Sequence, residues 1–542
     1  MTAAFARWTI YTHRWLGAAC CILFAIWFAS GVVMMYQRMP ALSAEERLWR
    51  LTPLDTSTLA LNAAEAAARL GPAAPERVRV AMLGGRPVYR LEAGGAWRAV
   101  YGDTGDVVGA LTAADTLAIV QEFIPEHATT LRYRTRLDDS DQWTLSSVIR
   151  RQMPLHVVAL GDDAGSEVYV ADRTGEIVMK TDRRGRAWGY AGAVLHWIYF
   201  APLRRRAALW DGIIVYGSLV GCLMALSGLV AGVWRWSAVP RYRLRGRPAP
   251  TRSPYAGIMR WHHYAGLVFG VVTFTWILSG LLSMNPWDWS PGHSPTAAQS
   301  LAMAGGPLRS EAVTVESLRN GVAALSRAWP VKEVDVVQVG GALWLSAYRV
   351  PEEPVGGAWR NTDLAAFLSP QSALQRRLVS LDDALAAPVD RLDARLIERL
   401  TRVAGPAAPV RDVRWLSEYD AYYYDREGAR PLPVLRIRFD DRDATWLYAD
   451  PRSGQLVARE LRRSRVERWL YHGLHSFDIP WLHAQRPLWD VLLVGLSLGG
   501  LTLAVTAVLP AWRRTRRALG VVRAAAAAAP APSGVSARGR VR

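Results

Sequence analysis

Ten histidines are spread over the 542-residue chain, and four of them repeat. His13 is followed by Gly17 and by Ser30-Gly31. His262 is followed by Gly266 and by Ser279-Gly280, at identical spacing and an offset of 249. His196 and His475 recur with an offset of 279, inside a gapless match. That match runs from Gly175-Glu-Ile-Val to Leu209-Trp-Asp211 in one copy and from Gly454-Gln-Leu-Val to Leu488-Trp-Asp490 in the other. Imidazoles at equivalent positions of equivalent helices can face one another across a pseudo-two-fold axis. Two imidazoles so placed suit the two axial positions of a haem iron, and helix bundles commonly build cofactor sites from facing helices. Small residues beside the first pair (Gly17, Ala18, Ala19, Ala265, Gly266, Gly270) leave room for a flat ring. A lone His at a helix end reads more simply as an interfacial polar group. Four at paired positions weaken that reading, because polar groups in membrane spans are costly and usually functional.

Two neighbours, His263 and His472, are alternates for His262 and His475, displaced by one and three positions. His127, His156, His293 and His483 have no repeat partner and read as surface or structural residues. A non-haem iron or copper site normally recruits a carboxylate or Cys beside the His, and the sequence places neither near His13 or His262. Trp15, Trp197, Trp261 and Trp276 are candidates for lining the rings. Arg14 and Arg204 to Arg206 are equally well read as propionate partners or as headgroup contacts.

The elements that must position these residues are apolar spans. Leu16 to Tyr36, Gly212 to Trp234, Tyr264 to Trp287 and Val491 to Trp512 contain no Lys or Arg and only Asp211 and Asp490 stand just before two of them. Each is long enough to cross a hydrocarbon core of ~30 Å as a helix. The first is too long for a signal-peptide core and lacks a small-x-small cleavage site, so it reads as an uncleaved anchor. Hydrophobic residues make up 51% of the chain and charged ones still 21%, a mixture that fits spans alternating with water-soluble domains. The net charge of +18 is concentrated as Arg beside the spans, which points to membrane lipid and not to nucleic acid. Arg235, Arg241, Arg243, Arg245, Arg247, Arg252 and Arg260 lie between spans 2 and 3, and Arg513, Arg514, Arg516, Arg517 and Arg523 follow span 4. The positive-inside rule makes these segments cytoplasmic and the two long connections periplasmic. The three cysteines, Cys20, Cys21 and Cys222, all lie in apolar runs. Structural disulfides, Cys-ligated clusters and c-type haem attachment are thereby excluded.

The long connections carry a strand–turn–strand signature: Val100-Tyr-Gly-Asp-Thr-Gly-Asp-Val-Val, Val168-Tyr-Val-Ala-Asp-Arg-Thr-Gly-Glu-Ile-Val and Leu447-Tyr-Ala-Asp-Pro-Arg-Ser-Gly-Gln-Leu-Val. An Ala-rich amphipathic helix, Leu61 to Leu70, precedes the first. Small α+β modules with antiparallel sheets follow, two to each connection. The expected order is N-terminus and span 1 (1–36), soluble domain 1 (37–205), span 2 (206–235), Arg-rich loop (236–260), span 3 (261–287), soluble domain 2 (288–487), span 4 (488–512) and a disordered Ala/Pro-rich tail (513–542). The unit of helix, outside domain, helix is used twice in one orientation.

The motifs Tyr11-Thr-His-Arg-Trp-Leu-Gly, Trp261-His-His-Tyr-Ala-Gly-Leu, Leu195-His-Trp-Ile-Tyr-Phe and Leu474-His-Ser-Phe-Asp, with the two Leu-Trp-Asp tripeptides, resemble the PepSY-associated transmembrane family over about residues 8–515. That family includes iron-regulated inner-membrane proteins and siderophore reductases. The resemblance implies a fold class of four transmembrane helices with two periplasmic α+β PepSY-like domains. It also implies two b-type haems held by His13, His262, His196 and His475, and electron transfer to a periplasmic ferric siderophore. No G-x-G-x-x-G follows a strand, and there is no Walker motif or nucleophile constellation. The electron donor must therefore be separate, either a membrane quinol or a cytosolic flavin reductase. The acceptor pocket is expected above the haem on the periplasmic side, with Trp143 and the aromatic run Tyr419 to Asp425 as candidate lining, although such runs also pack sheets. The rival readings are a non-redox PepSY protein that binds a peptide or protease, and a carrier for a siderophore or metal.

Overall fold

A computed structural model describes residues 3–37, 39–246, 248–350, 374–383, 385–425 and 430–528. Arg247 and the tail beyond residue 528 lie outside these residues. Among them, four helices are long and apolar enough to cross a membrane. They are Ala3–Met34, Ala207–Arg235, Ile258–Ser283 and Leu488–Ala528, the last continuing as helix through 513–528, where the sequence places the start of a disordered tail. The first has 32 residues, so at ~1.5 Å per residue it runs well past a ~30 Å core. It starts thirteen residues before the charge-free run at Leu16. The third ends at Ser283, short of Trp287. Asn285, Trp287 and Asp288 take left-handed backbone angles around Pro286, and the residue before a proline is pushed out of the helical region.

Contacts divide the chain into two compact units. One joins Met1–Val32, Asp211–Met284 and Pro487–Arg542; the other joins Val33–Trp210 and Asn285–Arg486. In the helical unit, Phe24 and Phe28 pack with Met224, Ala225, Ile277 and Ala504. Apolar lipid gives such helices no hydrophobic drive to associate, so close packing at small residues has to hold them. Gly500 shows the constraint: a Cβ there would stand 2.3 Å from the Phe28 ring.

The other unit holds fourteen strands among the described residues. The first connection supplies β1 (Arg77–Leu83), β2 (Arg86–Ala93), β3 (Ala96–Tyr101), β4 (Arg132–Leu137), β5 (Leu155–Ala159), β6 (Glu167–Ala171) and β7 (Ile177–Thr181). The second supplies β8 (Glu333–Val339), β9 (Ala342–Tyr348), β10 (Arg376–Ser380), β11 (Val410–Leu416), β12 (Val434–Phe439), β13 (Trp446–Asp450) and β14 (Gln455–Glu460). They form three antiparallel sheets, ordered β10-β9-β8-β1-β2-β3, β4-β5-β6-β7 and β11-β12-β13-β14. The sequence assigns each connection its own modules. The structure instead joins the leading module of each into one six-stranded sheet, through β1 and β8. Val78 lies opposite Val336 and Arg79 opposite Asp335 at that seam.

Period-2 alternation divides the faces of this sheet. Val78, Val80, Val334 and Val336 bury against the helices Ala63–Ala68 and Val315–Ser326. Arg79 and Glu333 take the opposite face and are also buried. The first helix is shorter than the Leu61 to Leu70 stretch, and Asn62 and Glu65 form its capping box. The β6–β7 and β13–β14 hairpins form as read, turning at Gly175 and Gly454 with positive φ. The stretch after β3 does not pair as a strand: Val107 makes only an isolated bridge to Val100. Only Val107 and Val108 of that segment have strand character before Gly109, too few for a ladder.

Candidate functional site

His13 sits in the first long helix and His262 in the third, and their ring centroids are 6.2 Å apart with planes inclined at 31°. The Nδ1 of His13 is 3.0 Å from the carbonyl oxygen of Met224 in the second long helix. The Nδ1 of His262 is 3.1 Å from the carbonyl oxygen of Leu503 in the fourth, and 3.2 Å from Thr506 Oγ1. Met224 and Leu503 are themselves related by the offset of 279. Each carbonyl also accepts from a hydroxyl one turn on, Ser227 Oγ at 2.9 Å and Thr506 Oγ1 at 3.0 Å. A carbonyl oxygen only accepts, so each Nδ1 must carry the proton. The lone pair therefore lies on Nε2 in both rings, the tautomer a metal-binding imidazole needs. Neither Nε2 has a hydrogen-bond partner among the described residues. Gly228 clears the space beside His13: a Cβ there would stand 2.5 Å from Cε1 of the ring.

His196 and His475 form the second pair, with centroids 6.1 Å apart and planes at 76°. Each follows a single π-helical segment, Tyr190–Val194 in one copy and Trp469–Gly473 in the other. Each is followed two residues later by a non-glycine residue in the left-handed region, Ile198 (φ 54°) and Phe477 (φ 51°). These irregularities recur at the offset of 279. Isolated π turns and strained φ angles cost energy and cluster at functional sites. Their repetition on both sides of one histidine pair points to a geometry that a regular helix would not provide.

Both spacings fit two imidazoles on one iron. A metal–nitrogen bond of about 2 Å on each side, plus roughly 1 Å from nitrogen to ring centre, separates the centroids by about 6 Å. Ligation through one nitrogen leaves the ring free to rotate about that bond, so inclinations of 31° and 76° are both compatible. Among the described residues no group of three or more His, Cys, Asp or Glu could hold a metal ion. Among the described residues the arrangement brings two imidazoles together at each site.

His263 is placed differently. It is buried, its Nδ1 is 2.7 Å from Ser253 Oγ and its Nε2 is 2.8 Å from the carbonyl oxygen of Gly232. Both nitrogens are engaged, so its geometry is that of a satisfied core histidine. His472 lies beside Tyr471, ring centroids 4.5 Å apart, with Nδ1 3.8 Å from an Asp478 carboxylate oxygen. Of the unpaired histidines, His156 is buried between Tyr133 and Asp172, and His293 is held by Glu460 and Glu467.

The aromatic run is mostly packing. Tyr423 is fully buried, stacks on Tyr448 at 5.0 Å and donates to the carbonyl oxygen of Pro431. Tyr419 donates to the carbonyl oxygen of Arg430. Trp143 packs on the core of the β4–β7 sheet and against Tyr190. Arg204 lies over Trp210 and Tyr199, and Arg205 donates to the carbonyl oxygen of Ser140. Sequence reasoning missed Arg468, which is 2% exposed. It lies over Tyr424 and Trp469 and donates to the carbonyl oxygen of Asp478. Its Nε and Nη1 make no hydrogen bond among the described residues. The repeat offers no signal for it, because the equivalent position is Gly189.

No family model matches the chain, and no curated protein matches it.

Proposed function

We propose that this protein is a di-haem inner-membrane reductase of the PepSY-associated type, passing electrons from the cytoplasmic side to a periplasmic ferric siderophore. The carrying observation is the pairing of four repeat-related histidines at two sites with nearly equal ring spacing, 6.2 and 6.1 Å. His13 and His262 would hold one b-type haem, and His196 and His475 the other. A bound haem supplies a one-electron couple, which suits a ferric acceptor because hard oxygen ligands hold ferrous iron more weakly. The chain's part is positional. The Met224 and Leu503 carbonyls fix the tautomer and rotation of the first pair. The two π turns and left-handed residues set the second. The buried, under-bonded Arg468, seven residues before His475, supplies a cation that a haem carboxylate would balance. The Arg-rich loop between the second and third helices faces the cytoplasm in this reading, as does the N-terminus, and the β-sheet unit is periplasmic.

The test is a reduced-minus-oxidised spectrum and a pyridine haemochrome count on the purified protein. Two haems per chain are expected, released by acid acetone. His13→Ala or His262→Ala should remove one low-spin signal, and His196→Ala or His475→Ala the other. His263→Ala should keep both. A wild-type protein without a reducible haem band would overturn the proposal and leave a peptide-binding or carrier role.

A further inference from the structure

Exposed aromatic side chains are distributed unevenly over the unit that carries the sheets. Among its described residues a single exposed aromatic, Trp415, lies on a strand. The others fall in the segments that join this unit to the four long apolar helices. Tyr36 follows the first helix and Trp287, 74% exposed, follows the third. Trp188, Tyr190, Trp197 and Phe200 precede the second, and Trp469 and Trp481 precede the fourth.

The segments before the second and fourth helices are pinned, so the outward placement of these rings is built in. Tyr190 packs edge-on against Trp143 at 5.6 Å, and Trp469 against Tyr422 at 6.4 Å; both members of the pair recur at the offset of 279. Gln142 donates to the carbonyl oxygen of Tyr199 at 2.6 Å and accepts from the N–H of Ala201 at 3.1 Å. Trp210 Nε1 donates to the carbonyl oxygen of Trp197 at 3.1 Å. In the other copy Arg468 donates to the carbonyl oxygen of Asp478, and Tyr424 donates to its carboxylate at 2.9 Å. Each segment ends in one helical turn at an equivalent position, Ala201–Arg204 and Pro480–His483. Phe200 stands at the head of the first turn, and Trp481 lies within the second and is 61% exposed.

We propose that the segments 188–204 and 467–483 lie in the interfacial layer of the bilayer, with Trp188, Phe200 and Trp481 among the headgroups and upper acyl chains, so that the sheet unit is docked on the lipid surface. Large apolar rings held in water are unfavourable and mark a surface that something covers. What the four segments share is a covalent join to a helix long enough to span a membrane. A protein partner has no reason to follow those joins, whereas the boundary of the hydrocarbon core meets all of them. Trp and Tyr favour that boundary because the ring is apolar and its N–H or O–H stays wet. His196 and His475 belong to the same two segments, which sets the second histidine pair at the membrane boundary. The docking requires no haem, so it stands or falls separately from the redox reading.

The experiment is a spin-label depth measurement on the full-length protein in phosphatidylcholine vesicles. Phe200→Cys, Trp481→Cys and, as the reference, Trp415→Cys each carry one nitroxide, in a chain whose Cys20, Cys21 and Cys222 are replaced by Ala. Collisions with oxygen, which concentrates in the acyl region, are compared with collisions with a water-soluble nickel chelate. Labels at 200 and 481 are expected about 5–10 Å inside the headgroup boundary, with a higher oxygen-to-nickel ratio than the label at 415. Should either aromatic replacement fail to fold, Pro202→Cys and Ala484→Cys carry the labels at neighbouring exposed positions. The depth at 481 should be the same in His196→Ala; a return to water there would make a bound group the cover and overturn the proposal. It is also overturned if labels at 200 and 481 meet the nickel chelate as readily as the label at 415. Spin–spin broadening that disappears on dilution with lipid would overturn it too, because the cover would then be a second copy of this chain.

Discussion

Replacing His293 with Gln should remove a defined, pH-dependent part of the stability of the β-sheet unit. His293 Nδ1 lies 2.7 Å from Glu460 and Nε2 lies 2.5 Å from Glu467, and Ser464 Oγ donates to the other Glu460 oxygen. Burial alone would lower the imidazole's pKa, but the two carboxylates outweigh it and raise it from 6.5 to about 9. A group whose pKa is raised on folding stabilises fully below its unfolded value and loses that contribution as pH rises through the folded value. The clamp should therefore be at full strength below pH about 6.5 and lost through pH about 9. The shift corresponds to about 3 kcal/mol. The side chain is 31% exposed, so solvent screening reduces this to about 1–2 kcal/mol.

The assay is thermal unfolding in detergent at pH 6 to 10, comparing wild type with His293→Gln. Buried tyrosines and other titrating groups are common to both proteins and cancel in the difference between their pH slopes. Wild type should be more stable by about 1–2 kcal/mol at pH 6, a few degrees in melting temperature, and the two curves should converge toward pH 10. Parallel curves over that range would refute the clamp. The clamp also has a positional consequence. Glu467 lies on the helix Arg462–Arg468, which leads through the π turn to His475, so the second histidine pair should be looser in His293→Gln than in wild type at pH 6, with the difference vanishing toward pH 10.

Two further predictions follow from contacts that admit no easy adjustment. Gly228→Ala places a methyl 2.5 Å from His13 Cε1, against an ordinary carbon contact of about 3.5–4.0 Å. It should cost the first site its low-spin signal while the second keeps its own; two unaltered low-spin haems by optical spectroscopy would refute the assigned pairing. Glu333→Gln strips Arg47 and Arg79 of a shared partner and should destabilise the sheet unit by about 3–5 kcal/mol, measured by thermal unfolding or limited proteolysis. Despite burial, which works the other way, Arg47 and Arg79 hold Glu333 down to about 2. Its stabilisation should therefore persist from pH about 4.5 upward and be lost only as pH falls toward about 2.

The helical part of the fold was legible because its signals are local. Charge-free runs and Arg-rich flanks need no partner to be read, and a gapless repeat carries spatial information: equivalent positions must be related by the symmetry of the duplication. The partners of the histidine rings were less visible. Met224 and Leu503 contribute backbone carbonyls, which leave no mark on residue type, and the π turns have no compositional signature. The seam of the six-stranded sheet was illegible for a different reason. β1 and β8 lie in separate connections, and strand alternation identifies a face but not the neighbour that will pair with it. Arg79, Glu333 and Asp335 also read as solvated when taken singly. Only their mutual pairing permits burial, and pairing is a property of the assembled sheet.

The seam shows what a fused duplication permits. β1 ends at Gly84-Gly85 and β8 at Gly340-Gly341, all four with positive φ, and aligning these turns makes Asp335 the repeat counterpart of Arg79. The register also sets Arg79 directly opposite Asp335, so the pseudo-two-fold axis of the sheet passes between them. In a symmetric dimer of identical chains, a residue on such an axis faces its own copy. Two guanidiniums or two carboxylates there would repel each other, and burial would make the repulsion worse. A single chain can place opposite charges at the two positions, and this one does, at 3.0 Å. The histidine pairs follow the opposite rule, with the same residue type in both halves. The halves thus match where their chemistry is shared and differ in charge where they meet. Arg90 extends that divergence, because its counterpart across the aligned turns is Ser346, a neutral residue. The first half therefore carries a buried cation that the second half does not reproduce at the equivalent position.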